Sequence, residues 1–213
     1  MAVPIVGNAG VVADVDEARN IQTYQGIPGY PAAGGYYSVA GHTTSVVAAA
    51  LAADTLLMSA RMATGSTRKA YISRMRLHMW VVLANAAGVD AGIIGLRRFT
   101  AQTPTGGTQR TPSRFGPSKG SITDITDVRD SNAALTGTAP TWPADGIIAQ
   151  APIPTIAGAI AAGYANAASL EYVFEWPAPV ELAAGDGIAL RTIKAAPATI
   201  TWGFSYTMYW FER

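Results

Sequence analysis

The chain has two histidines, His42 and His78, and no cysteine. Acid–base, nucleophilic or metal chemistry would therefore have to come from those two rings with carboxylates, hydroxyls and lysines. His42 lies in a glycine-rich stretch, and His78 alternates with Arg74 and Arg76. Neither has a second histidine or a carboxylate at metal-ligand spacing. Gly116-Pro117-Ser118-Lys119-Gly120 has the Gly-x-Ser-x-Gly spacing, but it lies in a proline-containing, loop-like stretch rather than on the strand-to-helix turn that makes such a serine a nucleophile. Gly7-Asn8-Ala9-Gly10 and Gly34-Gly35 lack the lysine and the strand-to-helix setting of a phosphate loop.

The carboxylates offer little more. Asp124, Asp127 and Asp130 recur at every third position, whereas calcium loops alternate acids around a fixed glycine. With Arg129 among them, they read as ion-pair partners or turn caps. Glu171 and Glu175 share one strand face roughly 13 Å apart, beyond the reach of a glycosidase pair. The expectation is no enzyme, no cofactor and no metal. An alternative keeps a sugar-binding sandwich open, with Trp142 and Trp176, each followed by proline, as its aromatic platform.

The elements that carry these residues have a period of two. Met75, Leu77, Met79, Val81 and Leu83 fall on one face of a segment over Thr67 to Leu83, with Tyr71 and Ser73 in the same phase. Ile72, Arg74, Arg76, His78 and Trp80 fall on the other, which is the signature of a half-buried strand. The C-terminus repeats the pattern with Ile200, Trp202, Phe204, Tyr206, Met208 and Trp210 against Thr201, Gly203, Ser205 and Thr207. Ala184-Gly185-Asp186-Gly187 between two apolar runs predicts a hairpin. Alanine-rich Ser45 to Met62 reads as two strands broken near Ala53-Asp54, and residues 104 to 169 as long loops with short strands. Several strands joined by Gly/Pro turns indicate an antiparallel sandwich.

Ahead of these strands, Tyr24, Tyr30, Tyr36 and Tyr37 are interleaved with glycine and proline and show no period. That mixture predicts an extended arm whose tyrosines supply contact area at low entropic cost. Composition says what such a chain touches. Hydrophobic residues make up 49% and charged residues 14%, where an ordinary soluble domain has about 25% charged. The best apolar run, Val46 to Met58, is interrupted by Asp54 and falls short of the roughly 20 residues of a spanning helix. Ile153 to Leu170, though long enough, is interrupted by Pro154, Tyr164 and Asn166. Nor does the N-terminus have the basic-then-apolar order of a secretory leader. A surface this poorly charged suits a subunit covered by its neighbours.

Charge is strongly segregated. From Thr55 to Thr123, Arg61, Arg68, Lys69, Arg74, Arg76, Arg97, Arg98, Arg110, Arg114 and Lys119 face Asp90 alone, a local charge of +9 in a chain whose net charge is +1. Too few aromatics interleave with these bases to stack on nucleotides, so nucleic acid is not the expected partner. Two readings remain open: a basic surface that meets an acidic arm on the next copy, and neutralisation within one subunit.

Several stretches resemble β-rich structural proteins of tailed bacteriophages. They are Leu51-Ala52-Ala53-Asp54-Thr55-Leu56-Leu57-Met58-Ser59-Ala60-Arg61, Ala70-Tyr71-Ile72-Ser73-Arg74-Met75-Arg76, and Arg97-Arg98-Phe99-Thr100 with Gly106-Gly107-Thr108. Asp127-Val128-Arg129, Ala133-Ala134-Leu135-Thr136 and Ala184-Gly185-Asp186-Gly187-Ile188-Ala189-Leu190-Arg191 continue the likeness over residues 46 to 213. The resemblance implies a jelly-roll-like virion component, oligomeric and often trimeric, and brings no catalytic residues.

The combined expectation is an all-β fold, an antiparallel β-sandwich of jelly-roll type over 46–213, behind an extended N-terminal arm over 1–45. It would be located in the virion and decorate or cement the head, with a tail or fibre-base part as the alternative. Its partners would be copies of itself, as a homotrimer, and other virion proteins such as the major capsid or tail proteins, with no membrane. The expected contact residues are Tyr24, Tyr30, Tyr36 and Tyr37 in the arm and Arg74, Arg76, Arg97 and Arg98 on the basic surface. Removing residues 1 to 40 would then leave a folded domain that no longer assembles.

Overall fold

In the computed structural model, the described residues are 35–43, 46–47, 51–83, 92–100, 104–115, 123–137, 141–143, 146–154, 169–196 and 201–213. Eight long strands build the fold: β1 (Gly35–His42), β3 (Leu56–Met62), β4 (Ala70–Leu83), β5 (Ile93–Phe99), β11 (Ile147–Pro152), β12 (Ser169–Leu182), β13 (Gly187–Lys194) and β14 (Thr201–Glu212). Short strands fill the intervals: β2 (Val46–Val47), β6 (Pro104–Thr105), β7 (Thr108–Arg110), β8 (Ser113–Phe115), β9 (Ile125–Asp130) and β10 (Thr136–Gly137). Among the described residues there is no helix.

All named pairings are antiparallel, and they are nested. β1 pairs with β14, β3 with β13, β4 with β12 and β5 with β11. The chain therefore runs out and back as one long hairpin. Rolling that hairpin adds two further pairings, β14 with β4 and β13 with β5. The result is a first sheet in the order β12-β4-β14-β1-β8 and a second in the order β11-β5-β13-β3-β9-β7. That is the strand order of a jelly roll, a double-sheet all-β architecture. β7, β8 and β9 extend both sheets on one side. β11 and β12 end the two sheets on the other.

The core lies between the sheets. β14 contributes Trp202, Phe204, Tyr206, Met208 and Trp210, and β4 contributes Met75, Leu77, Met79 and Val81, all buried. Met58, Ala60, Met62, Ile94, Leu96, Ile188 and Leu190 face them from the second sheet. The alternation along β4 changes phase at a bulge. Tyr209 pairs with Arg74 but Trp210 with Ile72, so Ser73 is unpaired. The extra residue turns Ile72 inward and moves Tyr71 and Ser73 to the outer face, which the period of two alone does not predict.

Two buried carboxylates tie strands together. Glu212, fully buried, accepts from the Trp210 indole N–H (3.1 Å) and the Asp124 amide (2.9 Å) and lies 3.3 Å from Arg68. Asp130, 2% exposed, takes a bidentate pair from Arg110 (2.7 and 2.9 Å) and the Tyr206 hydroxyl (3.0 Å). β7, β9 and β14 are thereby joined across the two sheets. Burial, reinforced by the Asp130 charge, pushes the Tyr206 phenol well above its ordinary range.

The arm boundary expected at residue 45 is corrected. Residues 35–42 form β1, seated between β14 and β8, with Tyr37 and Val39 in the core. The sandwich therefore includes residues 35–42, and residues 1–34 lie outside the described residues. The local reason is alternation: Tyr37, Val39 and Gly41 are inward, which the flanking glycines mask in the sequence. The break near Asp54 takes a definite form, since Asp54 has φ 67°, a left-handed conformation tolerated by aspartate.

Removal of residues 1–33 should therefore leave a cooperatively folding sandwich. Removal of residues 1–42 should abolish cooperative thermal unfolding by circular dichroism, because β14 loses a neighbour and the core loses Tyr37 and Val39. Gly41 gives a point test. A Cβ there would collide with Asp130 Oδ2 and the Tyr206 ring. Gly41→Ala should cost about 1–3 kcal/mol in denaturant unfolding.

Candidate functional site

The residues expected to form a contact surface are dispersed. Tyr37 is 2% exposed and stacks on Trp210 at 5.7 Å, so it is a core residue rather than an interface one. Tyr36 points the other way, its hydroxyl 3.1 Å from Ser73 Oγ on the outer face of the first sheet. Tyr24 and Tyr30 lie outside the described residues. Arg74 and Arg76 are on the outer face of β4, at 2.9 Å from Glu175 and 4.0 Å from Glu171. Arg97 belongs to the other sheet, where it donates to the Pro143 carbonyl (3.1 Å) and lies over the Trp142 ring. Arg98 pairs with Asp186 at 2.6 Å. No single surface unites the four arginines.

The basic block is largely neutralised within the chain. Arg68 meets Asp124 and Glu212, Lys69 meets Glu181, and Arg110 meets Asp130. Asp127 accepts from Arg129. Each aspartate of the 124–130 series thus has its own arginine, and no group of three His, Asp or Glu among the described residues is placed to hold a metal. Ser66 and Lys69 have the Ser-x-x-Lys spacing, but Ser66 bonds Asp124 and Lys69 bonds Glu181, so they do not act on each other.

The tryptophans named as sugar platforms are also otherwise engaged. Trp142 lies under the guanidiniums of Arg97 and Arg191 and edge-on to Phe99. It helps cover a small apolar cluster of Leu56, Phe99, Leu135 and Ala189. Trp176 packs against the main core. Neither is a free aromatic face.

Polar side chains do converge on the outer face of the first sheet. Register places Glu171, His78, Ser205 and His42 side by side on β12, β4, β14 and β1. The next row is Val173, Arg76, Thr207 and Ala40. Neighbours in such rows stand about 5 Å apart at Cβ. An open recess of about 270 Å³ lies over them, lined by Arg76, His78, Glu171, Ser205 and Thr207. Outside that lining, next to His78 along β4, the Trp80 ring covers Gly203, where a Cβ would come within 2.5 Å of the indole. The His78 ring is 5.7 Å from that of Trp80.

Ser205, His78 and Glu171 include the residue types of a nucleophilic relay, but no hydrogen bond links them among the described residues. Without such a bond the serine is not activated. The arrangement can bind a polar molecule. A second recess of similar volume, lined by His42, Thr43, Arg110 and Asp130, has its charges already spent on each other. The sequence signal for the first recess was the outward series Arg74, Arg76, His78, Trp80. What it could not give was the pairing with Ser205 and Glu171, which lie more than ninety residues on.

The Arg68–Asp124 pair makes stability depend on acid. Hydrogen bonding from Arg68 holds the Asp124 carboxyl below its ordinary value. Its stabilising contribution is then complete above the unfolded value of about 3.9 and is lost as pH falls through the lower folded value. Denaturant midpoints measured from neutral pH downward should fall across that window, and Asp124→Asn should flatten the fall while lowering the midpoint at neutral pH. No protein-family model, curated protein or solved structure matches this chain, so its function rests on the geometry of its own residues.

Proposed function

We propose that the chain is a structural subunit of a tailed-phage virion, decorating the head and held there by copies of itself and by neighbouring virion proteins. The observation that carries the reading is where apolar surface remains. Among the described residues the exposed large hydrophobics are Ile147, Leu170 and Val173. All three lie on β11 and β12, the strands that end the two sheets on the same side. The half-buried Tyr172, Phe174, Trp176 and Ile148 continue the same rim, and the Tyr172 hydroxyl bridges it by donating to the Pro152 carbonyl (3.1 Å).

A long terminal strand with apolar side chains and an unpaired backbone invites association unless another chain covers it. β12 runs for 14 residues, and Pro177, Pro179 and Glu181 blunt its C-terminal part. The apolar stretch Leu170 to Phe174 is shielded by Glu171 alone, with Glu175 just beyond it, both facing arginines of β4. A second copy is the occupant that fits. The low charge content supports the same conclusion. Jelly rolls occur in capsid proteins, a fold-level analogy that adds to the likeness of the sequence without assigning a role.

The full chain should sediment as a homo-oligomer, a trimer in this reading. Leu170→Lys with Val173→Lys should shift it to monomer while leaving the melting transition of the sandwich in place. Mass spectrometry of purified particles should find the protein at high copy number in the head fraction rather than the tail fraction. A monomer at high concentration, absent from any particle, would sink the proposal.

A further inference from the structure

We propose that the outer face of the first sheet is a binding site for a neutral pyranose sugar, seated on Trp80 and held by Glu171, His78 and Ser205. The argument starts from Gly203. It is the position in the outward row of β14, between Thr201 and Ser205, that has no side chain, and the Trp80 indole lies over the gap. A half-exposed flat ring is thereby fixed against the sheet, without a rotamer left to search. The apolar face of a pyranose, with its C–H groups, matches such a surface.

Polar groups suited to sugar hydroxyls lie beside it. Exposed Glu171 offers carboxylate acceptors, and exposed Arg76 offers donors in a plane. His78, Ser205 and Thr207 form no side-chain hydrogen bond with a described residue, so their bonding capacity faces the recess. Glu171 and Arg76 are 4.0 Å apart, too far for a direct hydrogen bond and close enough for both to engage neighbouring hydroxyls of one ring.

The chemistry selects this ligand class. The Glu171 carboxylate disfavours an anionic sugar or a phosphate, while Arg76 disfavours a cation. Apart from Trp80 the recess is polar, which disfavours an apolar peptide. Its volume of about 270 Å³ is below the roughly 300–1,000 Å³ typical of drug-sized ligands and leaves room for one ring. The site borders the apolar rim, since Glu171 and Val173 are neighbouring outward residues of β12, but Trp80, His78 and Ser205 stand on the inner strands β4 and β14.

The test uses the full-length chain with four probes: methyl β-D-galactopyranoside, methyl β-D-glucopyranoside, methyl α-L-rhamnopyranoside and methyl N-acetyl-β-D-glucosaminide. Binding is read by saturation-transfer NMR and by quenching of tryptophan fluorescence. Saturable binding of at least one probe is expected. Glu171→Gln and His78→Ala, both at exposed positions, should each weaken it about tenfold, the loss of one charge-assisted or well-placed hydrogen bond. Trp80→Phe should weaken it while the melting transition is retained, which guards against a fold defect from uncovering Gly203. No saturable binding of any of the four probes overturns the proposal. So does binding that Glu171→Gln and His78→Ala both leave unchanged.

Discussion

β14 lies between β1 and β4, and its inward row of Trp202, Phe204, Tyr206, Met208 and Trp210 is the surface on which both arms of the long hairpin close. Every other pairing depends on this one. β1 is the first long strand and β14 the last, so joining them closes almost the whole described chain. Loop-closure entropy for such a span is recovered only when large side chains are buried in the same step. Two indoles, a phenol, a phenyl and a thioether in one row supply that burial. The two carboxylates along the row, Asp130 at Tyr206 in its middle and Glu212 at Trp210 at its end, then fix register, because a slip would leave each of them buried without its donors.

The topology also explains the charge pattern. Bases are concentrated in the outgoing arm of the hairpin, and acids follow in the returning arm. Because β4 pairs with β12, Arg74 and Arg76 meet Glu175 and Glu171 without any partner chain. The excursion containing β9 brings Asp124 to Arg68 and Asp130 to Arg110. Most of these pairs are partly exposed and contribute on the order of 0–1 kcal/mol each, so their value is in orientation more than stability. With much of its charge paired internally, the sandwich has a weakly ionised exterior, and under the proposed function apolar side chains would drive association.

Two regions of the sandwich therefore differ in kind. The β11/β12 rim is apolar, linear and unpaired, the properties of a surface that another protein covers. The outer face of β4 and β14 is polar, recessed and supported by a rigid sheet, the properties of a site for a small polar molecule. Sites carried on strands keep their geometry better than sites carried on loops.

Local chemistry was legible in the sequence wherever one side chain's environment follows from its neighbours. The alternation of β4 and β14, the Asp-Gly hairpin before β13, the break at Asp54 and the all-β class follow from period, propensity and turn residues. The pairing of the three aspartates with basic neighbours was legible for a similar reason, since a nearby arginine marks a charge that will not stand alone. The position of Tyr37 was not, because glycines and a second tyrosine hide the period of β1. Nor was the phase change at Ser73, where one unpaired residue reverses the faces of a strand without changing its composition. The tertiary fold alone decided that the basic block would be neutralised from within, that Trp142 would be clasped by Arg97 and Arg191, and that Trp80 would lie over Gly203 on the outer face of the first sheet. Those outcomes depend on which strands become neighbours, and in a nested hairpin the neighbours are far apart along the chain, beyond the reach of any local pattern.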